Sequence, residues 1–250
     1  MVLWAMVSFS IVNSPPSAIA LPAATTASQT VNLSTRLRVD IGDKVMIAGF
    51  IITGNSNKAV VLRGMGPSLS AFGISGMLLD PVLELRGADG SLIIMNDNWK
   101  DSQRSQIEGT VFQPSDDRES VILATLAPAA YTAILTGKNN TTGVGLIEVY
   151  DNNQAVDSQL ANISTRGFVQ AGNEVMIAGF ILVNNSVARV AVRGRGPSLT
   201  QFGLCNVLAD PTLELHDSNG TTLVSNDNWQ DDPVSAALLT AHGLALQDPK

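Results

Sequence analysis

Cysteine and histidine are nearly absent from the chain, with one Cys and two His in 250 residues. A single thiol, Cys205, excludes a disulfide framework and a cysteine-built zinc site. Aromatic residues make up only 5%, so any core must be assembled from Val, Ile, Leu and Ala. Cations are also few: 15 Lys and Arg against 22 acids give a net charge of −7. That balance argues against nucleic acid as a partner, since such binding needs clustered Lys and Arg to displace counterions. With 15% charged and 45% hydrophobic residues, the composition is not that of a disordered chain. No apolar run is long enough for a helix to span a bilayer, so no membrane span is expected.

The longest N-terminal apolar run covers residues 2–12 and is followed by Pro15-Pro16 and Ala18-Ile19-Ala20. A short apolar stretch before a small-x-small site reads as a secretory leader over residues 1–20, cleaved after Ala20. This places the protein outside the cytoplasm, secreted or at the cell surface. The flank lacks the usual positive charge, as no Lys or Arg precedes Arg36, and a buried strand or a misplaced start is the alternative. Residues 21–33, rich in Ala, Thr and Ser, read as a flexible linker.

The rest of the chain is organised by an internal duplication at an offset of 130 residues. Ser34-Thr35-Arg36 returns at Ser164-Thr165-Arg166, and Val45–Ile51 returns unchanged as Val175–Ile181. Arg63-Gly64, Gly66-Pro67-Ser68-Leu69, Phe72-Gly73, Asp80-Pro81, Leu83-Glu84-Leu85 and Asn96-Asp97-Asn98-Trp99 all recur without a gap. Beyond Trp229 the register slips by two residues, so that Lys250 corresponds to Arg118. The expected domains are a first module over 34–152, a linker over 153–163 and a second module over 164–250. The second stops before any counterpart of 119–150, so it reads as incomplete, and the chain as a fragment of a longer array. Open strand edges in copy two are then expected.

Apolar and charged residues alternate in Leu83-Glu84-Leu85-Arg86, the period of a half-buried strand. Asp89-Gly90 and Asn219-Gly220 predict hairpins closed by type I′ turns. Val45–Ile52 and Val175–Val183 read as fully buried central strands; 59–63, 120–126, 131–136 and 144–150 read as further strands. Short helices are expected after Gly66-Pro67, ending at Gly73, and over 101–109. The fold class is therefore all-β, with tandem antiparallel β-sandwich modules of jelly-roll-like topology and an open barrel as the alternative.

No catalytic set emerges. His216, His242 and Cys205 face Arg86, Thr110 and Ser75 in copy one, so a task shared by both copies needs none of them. Gly64-x-Gly66 lacks the third glycine of a phosphate loop, and Pro67 removes an N–H that would face the phosphate. Ser68 lacks the closing glycine of a nucleophile elbow. The repeated acids Asp80/Asp210, Glu84/Glu214 and Asp97/Asp227 give no basis for a glycosidase pair, since sequence does not set their separation. The acid–amide clusters, Asn96-Asp97-Asn98 with Asp101 and further on Asp116-Asp117 and Glu119, repeated in part as Asn226-Asp227-Asn228 with Asp231-Asp232, suggest one metal: Asp97, Asn98, Asp116 and Asp117, with Asp227 and Asn228, are candidate Ca2+ ligands. The alternative role for these residues is turn capping. No other cofactor is expected.

The strings Asn162–Val169, Met-Ile-Ala-Gly-Phe, Arg-Gly-x-Gly-Pro-Ser-Leu, Asp-Pro-x-Leu-Glu-Leu, Asn-Asp-Asn-Trp, Pro114–Ser120 and Gly143–Asp151 together resemble a bacterial repeat module. Such modules, of about this length and functionally uncharacterised, occur in tandem in large secreted or surface proteins. The hairpin and Asn-Asp-Asn-Trp portion is distantly similar to pre-peptidase C-terminal-type domains, which accompany secreted enzymes. The resemblance implies a non-catalytic extracellular repeat with a structural or adhesive role, whose partners are neighbouring repeat modules and an extracellular polymer or protein. A carbohydrate- or protein-binding accessory module of a secreted enzyme is the alternative. A hydrolase is the third class.

Overall fold

The computed structural model describes residues 3–12, 28–184 and 188–248. The leader cleavage site at Ala20 and most of the expected linker lie outside them. The protein is all-β and antiparallel. Copy one contributes β2 (Gln29–Val39), β3 (Met46–Gly54), β4 (Lys58–Met65), β5 (Pro81–Arg86), β6 (Leu92–Asn96), β7 (Ser120–Leu126), β8 (Ala130–Gly137) and β9 (Gly143–Asp151). They follow β1 (Leu3–Val12) and precede β10 (Ser158–Val169), β11 (Ile177–Val183), β12 (Arg189–Arg195), β13 (Leu213–His216) and β14 (Thr222–Asn226) of copy two. Two short helices, α1 (Arg104–Ile107) and α2 (Pro233–Ala241), follow Trp99 and Trp229.

The expected strands form close to their expected places, but two expected linkers are partly strand. β2 begins at Gln29 and β10 at Ser158, because Thr30, Asn32 and Leu160 are buried in the ladder rather than free in solvent. Both hairpins form, with a different turn. Only Gly90 and Gly220 take positive φ, while Asp89 Oδ1 accepts from Ser91 and Asp217 Oδ1 from Asn219 and Thr221. A type I′ turn needs positive φ at both central residues, so these are longer loops closed by one left-handed glycine.

The copies are interleaved. One sheet runs β6-β5-β8-β3-β10-β2-β9-β4-β7, with β11 added on β2 and β1 bridging β10 and β12. It closes almost into a barrel: Asn96 Oδ1 at the β6 end accepts from Val121 N of β7 at 2.9 Å. Each copy's first long strand pairs with the other copy's second. β11 lies on β2, with Thr35 opposite Ala178; β3 lies on β10, with Ala48 opposite Thr165. Shifting every number by 130 converts one ladder into the other. Even the bulge repeats, skipping Val31 in one and Ala161 in the other.

An approximate two-fold axis therefore relates the copies, and residues 130 apart meet beside it. The hydroxyls of Thr35 and Thr165, both fully buried, are hydrogen-bonded at 2.8 Å. One turn of the pleat away, Leu37 fills the space over its counterpart Gly167, where a Cβ would stand 1.9 Å from Leu37 Cδ2. Farther out, Arg38 pairs with Glu174 at 2.8 Å, and the mirrored contact sets Lys44 over the Phe168 ring at 5.0 Å. The main core includes Leu33, Leu37, Phe50 and Leu62 from copy one with Leu160 and Ile163 from copy two.

β1 completes copy two in the position that β9 holds in copy one. Leu146 of β9 lies between Arg36 and Met65, and Met6 of β1 lies between their counterparts Arg166 and Arg195.

Burying a lone hydroxyl costs about 1–3 kcal/mol, whereas replacing both partners by apolar groups of the same shape is nearly neutral. Thr35→Val and Thr165→Val should each lower unfolding free energy by about 1–3 kcal/mol in urea titrations, and the double variant by less than either alone. Additive losses would show that the two hydroxyls are independent.

Candidate functional site

In copy one the repeated motifs gather at the C-terminal end of β4. Gly66 must be glycine, because a Cβ there would lie 2.0 Å from Leu78 O; at Gly196 the same test gives 1.9 Å from Leu208 O. Pro67 then starts a short 3-10 helix to Phe72, and Gly73 ends it at φ 74°. The expected helix start and stop are both present, and copy two repeats them at Pro197–Phe202 and Gly203.

In copy one a buried carboxylate holds this loop. Glu119 Oε1 accepts from Gly66 N, Ser68 N and Ser68 Oγ at 2.9, 2.9 and 2.6 Å. The anion satisfies N–H groups that a helix start leaves without partners. Ser68 is thus a ligand of this clamp. Glu119, which the sequence groups with the acid–amide cluster of the candidate Ca2+ site, instead clamps a loop 51 residues away. Copy two has no such carboxylate among the described residues, and Ser198 Oγ accepts instead from Arg195 Nε at 3.2 Å.

Asn-Asp-Asn-Trp is the latch of the same end. Asn96 is buried, donating to Asn98 O while accepting from Val121 N. Trp99 is buried against Val61, Ile107 and Val121. The candidate Ca2+ ligands do not form one group. Asp97 is paired with Lys138 at 2.5 Å, Asp116 with Arg118 at 2.8 Å, and Asp117 with Lys100 at 2.6 Å. Asn98 donates to Asp101. The bond from Arg118 holds the Asp116 carboxyl below the usual carboxylate range, and the bond to Asp97 raises the Lys138 ammonium. In copy two Asp227 borders a cavity, and Asn228 bonds Asp231. Among the described residues, no three acids, histidines or cysteines gather as a metal would need.

His216 does what Arg86 does. Arg86 bonds Glu84 and Gly90 O, and His216 bonds Glu214 and Gly220 O. His242 follows α2 as its C-cap, and Cys205 is exposed. A buried ion pair, Lys58 with Asp151 at 2.8 Å, belongs to copy one alone. Its counterparts are Ala188 and, in β1, Ile11. Breaking such a pair from one side is costly, so both members change together. A second pair is not replaced so cleanly. Arg63 meets Glu148 at 3.2 Å, but Arg193 stands opposite Ser8, whose hydroxyl is buried without a partner, and donates instead to Leu244 O at 3.2 Å. Burial lowers the Arg193 pKa.

The largest difference between the copies is an open face. Behind β12 and the β13–β14 hairpin lies a cavity of about 470 Å3 lined by Val192, Leu213, Leu215, Trp229, Leu239 and Leu246 among others. Copy one buries the matching face under β7 and β8, with Leu83, Leu85, Ile122 and Leu135 fully covered. β11, expected to be fully buried like β3, is instead half open, with Ile177 and Ile181 48% and 52% exposed. The reason is that β3 has β8 along one edge, and among the described residues β11 has no such neighbour.

No family model, curated protein or solved structure matches this chain.

Calcium would have to displace Lys138, Arg118 and Lys100 from carboxylates they already neutralise. Adding millimolar Ca2+ or EDTA should therefore move the melting temperature by less than about 1 °C. A calcium-dependent rise of several degrees would return these acids to a ligand set.

Proposed function

We infer that the chain is a non-catalytic extracellular repeat with a structural or adhesive role in a larger secreted or surface protein. The observation that carries this reading is the reciprocal pairing of β2 with β11 and β3 with β10. Each copy completes the other, so two successive repeats form one mechanical unit, as suits a chain whose task is to hold an extended array. The repeated motifs support the same reading. Gly66 and Asn96 close the chain on itself, and Glu119, Asp97 and Asp116 each hold a partner within the fold.

The resemblance to tandem modules of large bacterial surface proteins, distantly similar to pre-peptidase C-terminal-type domains, points the same way. On this reading each copy is a jelly-roll-like sandwich within the shared sheet. Neighbouring repeats are the first partners, and an extracellular polymer or protein is the second. Phe72 and Phe202, exposed at the same place in both copies, are suited to that second contact. They equally support a carbohydrate-binding accessory module, which glycan-array binding lost in Phe72→Ala would favour. Among the described residues, no helix is long and apolar enough to cross a membrane.

The secretory leader and β1 use the same residues. Cleavage after Ala20 would remove β1 and leave the edges of β10 and β12 open. Expression in a bacterial host followed by fractionation and N-terminal sequencing tests the reading. An extracytoplasmic product beginning at Leu21 is expected. A cytoplasmic product retaining residues 3–12 would overturn the extracellular assignment.

A further inference from the structure

The side chains beside the two-fold axis decide which copies can pair. The backbone ladders do not decide it, because β2 with β11 and β3 with β10 share one register and one bulge, shifted by 130. Nor does Thr35 with Thr165, since threonine would meet threonine in any combination of copies. Discrimination falls to contacts whose members differ between the copies: 37 with 167, 38 with 174, and 44 with 168.

Each of these contacts is complementary. Leu37 is buried over Gly167, where a Cβ would stand 1.9 Å from Leu37 Cδ2. The Arg38 guanidinium meets the Glu174 carboxylate at 2.8 Å, and the Lys44 ammonium lies 5.0 Å from the centre of the buried Phe168 ring. The two-fold operation also defines what like pairing would give. Two copies of the first kind would set Leu37 against Leu37 in a space that admits one, and Arg38 against Lys44 twice. Two copies of the second kind would leave Gly167 facing Gly167 across a void, and Phe168 against Glu174 twice with no cation. Overpacking and like charge oppose the first combination; a void and a lost cation–π contact oppose the second.

We propose that these residues form a pairing code, with Leu37, Arg38 and Lys44 on one surface and Gly167, Phe168 and Glu174 on the other. The partner that fits each surface is a repeat of the opposite kind, and a repeat of the same kind is refused. The contrast of size at 37 and 167 carries most of the discrimination because it is buried. Arg38 and Glu174, with side chains 30% and 31% exposed, act more against the wrong partner than for the stability of the right one. This goes beyond the structural-repeat reading and does not depend on where the protein resides.

Thermal melting of two variants of the full chain, against the original, tests the code. Gly167→Leu, Phe168→Arg and Glu174→Lys together give copy two the residues of copy one, and the melting temperature should fall by about 5–10 °C or more. Adding Leu37→Gly, Arg38→Phe and Lys44→Glu to that variant exchanges the two sets, and about half of the loss or more should return. Hydrogen-exchange protection over 29–39 and 177–183 should follow the same order. Residues that matter one by one would instead make the exchanged chain worse than the like-coded one. A like-coded chain as stable as the original would overturn the proposal. So would an exchanged chain no more stable than the like-coded one, including one that fails to fold.

Discussion

Two strands that leave their own copy and pair with the other hold this protein together. β2 carries β9 on one edge and β11 of the second copy on the other, while β3 carries β8 and β10. Without that exchange neither copy would own a continuous sheet. The exchange also sets the core, since Leu160 and Ile163 fill space among copy-one residues. Close to the axis, residues of the same ancestral position must touch each other. Two threonines solve this with a shared hydrogen bond. A side chain at both 37 and 167 would collide, and the pair is Leu37 with Gly167. The difference between the copies at this pair is thus one that the packing requires.

Away from the axis the copies differ because their surroundings differ. Lys58 and Asp151 form a buried pair where β9 is present; Ala188 and Ile11 stand in their places where β1 is. Arg193 keeps the arginine but not the glutamate, because β1 brings Ser8 to the position of Glu148. β1 therefore reproduces the backbone of β9 more faithfully than its chemistry. The same contrast applies to the Gly-Pro-Ser loop, which folds alike in both copies but is clamped by a carboxylate in one.

Much of this was legible in the sequence, for reasons that can be stated residue by residue. Alternation in Leu83–Arg86 and the glycines at 73, 90 and 220 mark local events, and local backbone preferences decide them. The duplication itself was unmistakable. What the sequence did not reveal was which strand pairs with which. The Ser-Thr-Arg and Met-Ile-Ala-Gly-Phe strings look the same whether β2 meets its own β3 or that of the other copy. Nor did it reveal what Glu119 holds, because a carboxylate that clamps a loop across some fifty residues leaves no periodic trace. The acid–amide cluster carried the composition of a metal site, but Lys138 on Asp97 and Lys100 on Asp117, both distant in sequence, and Arg118 on the nearby Asp116 bring the neutralising charge.

The most direct test of the reciprocal pairing is a set of cross-strand nuclear Overhauser contacts in the full chain. The account predicts contacts between Thr35 and Ala178 and between Ala48 and Thr165 in the same molecule, at equal intensity and independent of protein concentration. Contacts joining β2 to β3 of its own copy, with none between copies, would contradict it.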